Sequence, residues 1–117
     1  MATIHYPTQV TFYYLWRNTD RYIFYVGMTT KPVEKRFNQH IREAKCYPES
    51  RSLKDNIIRG CNYDVSIMPF ETATACCWDD IRYREMYWIQ EVNKITVLTN
   101  CNVPVNYIFH NKQFENI

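Results

Sequence analysis

The chain lacks any apolar stretch near the roughly 20 residues that span a bilayer, so no membrane partner is expected. Met1 to Gln9 has neither the charged start nor the apolar middle of a secretory leader, which points to an intracellular protein, cytoplasmic or nuclear. Cysteine is present but unpatterned. There are five, an odd number, at Cys46, Cys61, Cys76, Cys77 and Cys101, and no C-x-x-C pair occurs. This argues against a disulfide framework and against zinc, and for reduced thiols acting as small buried apolar residues. An excess of one charge is also missing: the net charge is only +2, which as a total gives no reason to expect nucleic acid. There is no repeat and no low-complexity segment, and glycine occurs only twice, as Gly27 and Gly60.

What is present describes one folded domain, residues 1–117. Hydrophobic residues make up 46% of the chain and ten are tyrosines, too apolar and aromatic a composition for disorder. After an extended lead-in to Gln9, Val10 to Arg17 alternates. Val10, Phe12, Tyr14 and Trp16 fall on one face, Thr11, Tyr13, Leu15 and Arg17 on the other, as in a strand. A polar turn, Asn18 to Arg21, joins it to a second strand, Tyr22 to Gly27, giving a hairpin in which Tyr13 lies opposite Tyr25 or Val26. Pro32 to about Lys45 is expected as a helix with Val33, Phe37, Ile41 and Ala44 inward; Ser52 to Arg59 as a short helix capped by Ser52 and stopped by Gly60. A third strand within Asn62 to Phe70 ends near Pro69, and a long helix capped by Thr72 or Thr74 reaches about Asn93. The fold class is α+β, a small, mainly antiparallel three-stranded sheet flanked by helices.

Two features point to chemistry. Arg36 and His40 are four apart, so they share one side of their helix, on a shoulder about 100° from its apolar stripe. The basic residues also cluster there: residues 31 to 59 hold eight Lys/Arg against four acids, whereas residues 60 to 117 hold four against seven. A phosphate backbone would run along such a helix, although an ordinary solvated face has the same composition. The second feature is Glu85. It lies in the middle of the stripe Trp78, Ile81, Trp88, Ile89 and Val92. A carboxylate there needs a metal or a cation such as Arg36; a structural Glu–Arg pair without chemistry is the plainer alternative.

The ordered set Tyr13, Tyr25-Val26-Gly27, Arg36, His40 and Glu85 resembles the GIY-YIG nuclease family. The likeness covers residues 10 to about 102, leaving 103–117 as a tail that packs back on the core. Thr11-Phe12-Tyr13 stands where Gly-Ile-Tyr is expected: the tyrosine is kept and the glycine is not. The resemblance implies a DNA endonuclease in which Glu85 holds one Mg²⁺ or Mn²⁺ and Arg36 stabilises phosphate charge. Tyr13 activates water, Tyr25 assists it, and His40 relays or orients. Gly27, Thr29 and Lys35 would face the substrate, with Asn100, or else Asn102, as the family's asparagine that tethers the last segment or contacts phosphate. One such site cuts one strand, so a double-strand break implies a homodimer or a partner protein. A degenerate, non-cutting nucleic-acid-binding module is the alternative. The abundance of Asn, Ile and Tyr suits an AT-rich genome such as a phage's or a virus's.

Overall fold

The first strand carries the architecture, because both other strands pair with it. The computed structural model describes residues 3–47 and 52–100, for 3–6 the backbone alone. The elements are β1 (Thr3–Arg17), β2 (Tyr22–Thr29), α1 (Val33–Cys46), α2 (Leu53–Gly60), β3 (Val65–Cys77) and α3 (Trp78–Asn93). The sheet order is β2-β1-β3 and both pairings are antiparallel, so the expected three-stranded α+β architecture is the one observed.

Alternate residues of β1 enter two separate cores. Tyr13 and Leu15 join Phe24, Ala44, Ile58 and Val65, under α1 and α2. Val10 and Phe12 join Ile81 with Trp78 and Trp88, under α3. Such strict alternation is what the period-2 pattern of β1 specifies when both faces of a strand are covered. Glu71 fixes α3 against β3, accepting from Arg84 Nε at 2.7 Å, Arg84 Nη2 at 2.9 Å and Trp88 Nε1 at 3.0 Å. Glu85 is thereby held in register with the sheet.

Two strands are longer than their sequence pattern suggests. The lead-in is part of β1, and β3 runs through Pro69 to Cys77. The two extensions pair with each other: Thr8 with Ala75, Gln9 with Thr74, Val10 with Ala73. Thr72 and Thr74 are therefore strand residues, and α3 begins only at Trp78, with Cys77 as a cap that makes no side-chain hydrogen bond. Pro69 is tolerated because β3 is an edge strand and its ladder is irregular beside it, the register shifting between Phe12 and Tyr13. The end of α1 is also corrected, to Cys46, with Pro32 outside the helix as its cap. At α2, Ser52 caps as expected, accepting from the Asp55 amide, but the helix includes Gly60.

The hairpin register differs in a way that matters. A bulge between Leu15 and Trp16 shifts the pairing by one, so Tyr13 faces Gly27, while Leu15 faces Tyr25. A one-residue slip moves every side chain to the other face. The observed register, like a direct Tyr13–Tyr25 pairing, puts Tyr13, Gly27 and Tyr25 on the same side of the sheet; a Tyr13–Val26 pairing would not. The four described cysteines are free, as expected, but Cys46 and Cys76 are exposed rather than buried. Cys46 ends α1, and Cys76 points outward from the edge strand. No described helix is long and apolar enough to cross a membrane. The expected tail, Asn102 and Cys101 lie outside the described residues.

Candidate active site

Tyr13 is the centre of the site. It is wholly buried in the C-terminal half of β1, with its ring against Gly27. A β-carbon on Gly27 would stand 2.6 Å from the Tyr13 hydroxyl, 2.7 Å from its Cζ and 2.8 Å from Cε2 of Tyr25. Gly27 is thus a close-approach glycine inside a strand, not a turn; β2 continues past it to Thr29.

Three groups converge on the hydroxyl. His40 Nε2 lies 2.6 Å from Tyr13 Oη, and Arg36 Nε donates to the same oxygen at 3.2 Å. The Tyr25 ring lies 6.4 Å from that of Tyr13 and 5.4 Å, edge-on, from the imidazole. Contrary to the shoulder position expected for both, His40 is fully buried and only Arg36 stays partly open. The reason is legible afterwards: Phe37, His40, Ile41 and Ala44 form one i, i+3, i+4, i+7 stripe, and α1 turns this stripe inward.

The electrostatics follow from burial. Burial pushes the Tyr13 hydroxyl well above the ordinary tyrosine range, Tyr25 adds to this, and Arg36 opposes it. Tyr25 is raised by burial too, again opposed by Arg36. His40 is driven down to about 2 by burial and by the neighbouring cations Lys54 and Arg36, so its ring is neutral at any ordinary pH. Burial raises the Glu85 carboxyl, with Arg36 and Arg82 pulling the other way. Its charge acts on both tyrosines, which places α3's carboxylate in the field of the same cluster.

Residues 11–98 match the GIY-YIG catalytic domain family. The chain belongs to that family. No curated protein and no solved structure gives a significant match. GIY-YIG domains are nuclease domains, and they generally use a divalent metal.

Glu85 fits such an ion. Among the described residues it forms no ion pair and no hydrogen bond; Arg36 pairs instead with Glu43, at 3.9 Å. Of the two partners that the sequence leaves open for Glu85, a metal or Arg36, the second acts through its field and not by contact. A half-buried carboxylate without a donor is poorly compensated, and a hard cation would compensate it. No cluster of three or more metal-ligating side chains occurs among the described residues, so such an ion would rely on one carboxylate plus water and phosphate, as suits Mg²⁺.

The remaining anticipated residues divide. Asn100 makes a two-point clasp on the β2 backbone, its Nδ2 donating to Val26 O at 2.6 Å and its Oδ1 accepting from Val26 N at 3.1 Å. Thr99 donates to Phe24 O from both N and Oγ1 at 2.7 Å, and Thr96 to Ile23 O at 2.9 Å. Residues 96–100 thus strap the edge of β2 behind the tyrosines, and Asn100 is a tether. Thr29 is buried and serves the turn into α1, accepting from Lys31 N at 3.0 Å. Lys35 is exposed on α1, with Arg42 and Lys45, and Lys31 is exposed in the turn before it. The other basic residues of that stretch that the structure describes do not form one solvated face. Lys54 is buried, and Arg59 donates to Ala44 O at 3.0 Å and Tyr47 O at 3.1 Å, closing the end of α1.

Lys54 was not anticipated as a site residue. Its Nζ lies 2.8 Å from His40 Nδ1 and 5.4 Å above the Tyr25 ring. The signal was present: Lys54, Ile57, Ile58 and Cys61 fall at helical spacing, a charge in an apolar stripe like Glu85 in α3.

Proposed function

We propose that this GIY-YIG domain is a divalent-metal-dependent endonuclease that hydrolyses DNA phosphodiester bonds. The observation that carries this reading is the convergence of His40 and Arg36 on the Tyr13 hydroxyl, in the field of a Glu85 that makes no hydrogen bond or ion pair among the described residues. Tyr13 takes the proton of the attacking water in its phenolate form, and Arg36 holds that phenolate with one donor of its fork and has others for the phosphate oxygens. Tyr25 packs the base in place. Glu85 holds Mg²⁺ or Mn²⁺, which when bound supplies positive charge to the phosphate and the leaving 3′-oxygen. The exposed cations Lys31, Lys35, Arg42 and Lys45 give the DNA backbone a track along α1. The catalytic core is residues 10–102. A homodimer or a partner protein would supply the second cut.

The test is nicking of supercoiled plasmid, and of a branched DNA junction, with Mg²⁺ or Mn²⁺ and with EDTA. Metal-dependent nicking that the Glu85→Ala variant loses supports the reading. If DNA is bound and neither substrate is cut, the domain is a binding module.

A further inference from the structure

We propose that Lys54 is a positioning residue for the Tyr13 base: by occupying Nδ1 of His40 it forces the imidazole proton onto Nε2, making His40 a hydrogen-bond donor to the Tyr13 oxygen. The functional meaning of this rests on the nuclease reading above; the placement of the proton does not.

The argument is one of donors and acceptors. A lysine ammonium has three donors and no acceptor. Lys54, only 8% exposed, sits between the carboxylates of Glu43, at 3.4 Å, and Asp55, at 3.5 Å, surroundings that suit a cation and not a neutral amine. At 2.8 Å from Nδ1, it can only donate there. Nδ1 must then present its lone pair, and a proton on that nitrogen would face a second donor. The ring is therefore neutral, and its one N–H is on Nε2. The depressed basicity of the ring, caused by burial and the same two cations, agrees.

The chain of hydrogen bonds then runs in one direction, from Lys54 to His40 to Tyr13. The Tyr13 oxygen accepts from His40 Nε2–H at 2.6 Å and from Arg36 Nε–H at 3.2 Å. With both acceptor positions filled, the phenol proton of neutral Tyr13 points away from both, toward whatever occupies the third direction. Once that proton has left to solvent, the same two donors hold the phenolate, and its vacant position faces the attacking water. In the base step one O–H bond of water breaks, the phenol O–H bond re-forms, and the hydroxide attacks phosphorus. His40 does not take the Tyr13 proton, since Nε2 already carries one. Of the two roles left open for His40, relay or orientation, this leaves orientation.

The experiment is a long-range ¹H–¹⁵N correlation spectrum of the His40 imidazole in the whole, ¹⁵N-labelled protein near neutral pH, together with nicking kinetics. The expected spectrum shows Nε2 protonated and Nδ1 bare in the unmodified chain. In Lys54→Met the Nδ1–H tautomer appears, and kcat falls about 10- to 100-fold with KM nearly unchanged, because Lys54 acts through His40 and does not touch DNA. Lys54→Arg, which retains a donor, keeps the Nε2–H form. An Nδ1–H tautomer or an imidazolium in the unmodified protein would overturn the proposal without any variant having to fold. So would an Nε2–H form that persists unchanged in a folded Lys54→Met protein. If the tautomer is as expected and no DNA is cut, the nuclease reading fails and the placement of the proton stands.

Discussion

The Tyr13 hydroxyl occupies the space where a β-carbon on Gly27 would be, 2.6 Å from it. The two residues face each other across β1 and β2 only because of the bulge between Leu15 and Trp16. The glycine of the Tyr-Val-Gly segment is thus explained by a neighbour's side chain and not by an unusual backbone angle; neither glycine has a positive φ.

Gly27→Ala is accordingly expected to push the Tyr13 ring off its hydrogen bonds. Both the fold and the site should feel it: a loss of about 1–3 kcal/mol of stability from overpacking, and a fall in nicking well beyond what that loss explains. Thermal melting and nicking rates, measured on the same preparation, separate the two effects.

Tyr13→Phe removes the proposed base and leaves the side-chain nitrogens His40 Nε2 and Arg36 Nε without their oxygen partner. Nicking is expected to fall by about 10²–10⁴-fold, with a stability cost of about 1–3 kcal/mol for the stranded donors. In the unmodified protein, a base whose ordinary range is already high, raised further by burial, is scarce as phenolate at neutral pH. The nicking rate should therefore rise with pH up to at least pH 9, about tenfold per unit, with no step near pH 6.5 because His40 does not titrate there. A pH–rate profile at saturating metal checks this.

His40 also makes an acid-sensitive fold. Its folded value is depressed to about 2, whereas in the unfolded chain it titrates near 6.5. Above about pH 6.5 neither state binds the proton and the group contributes no slope. As pH falls below that, the unfolded chain binds a proton that the folded chain refuses, so stability decreases, by up to about 1.4 kcal/mol per unit, toward the folded value. The groups facing the ring are Tyr13, Tyr25, Arg36 and Lys54, and neither cation tolerates a third positive charge. Urea titrations between pH 5 and 8 should show the loss, and His40→Gln should flatten it.

Much of this was legible in the sequence. The period-2 alternation of β1 predicted its two faces, and the spacing of Glu85 within the α3 stripe predicted its half-buried, costly position. The misses share a cause: the information lay in another segment. The β1 lead-in and the second half of β3 each look weak alone, and each is a strand because the other is its partner. The register of Tyr13 depended on a bulge that places Phe24 without a partner in the ladder. The angle from the stripe Val33, Phe37, Ile41 and Ala44 puts His40 on the shoulder of α1, yet it lies on the same inward stripe as Phe37 and Ala44. Lys54 reads as one more basic residue in a basic stretch, whereas its helical spacing with Ile57 and Ile58 marks it as interior.

The central claim, that Glu85, which makes no hydrogen bond or ion pair among the described residues, takes a divalent cation, is tested most directly by Glu85→Gln, which keeps the shape and removes the charge. Nicking with Mg²⁺ or Mn²⁺ and metal-free stability are measured for both proteins. The account predicts that nicking falls at least about 100-fold while metal-free stability is unchanged or higher, since a half-buried, poorly compensated charge has been removed. Wild-type nicking by the variant, or a large metal-free destabilisation that reveals a protein partner for the carboxylate, would contradict it.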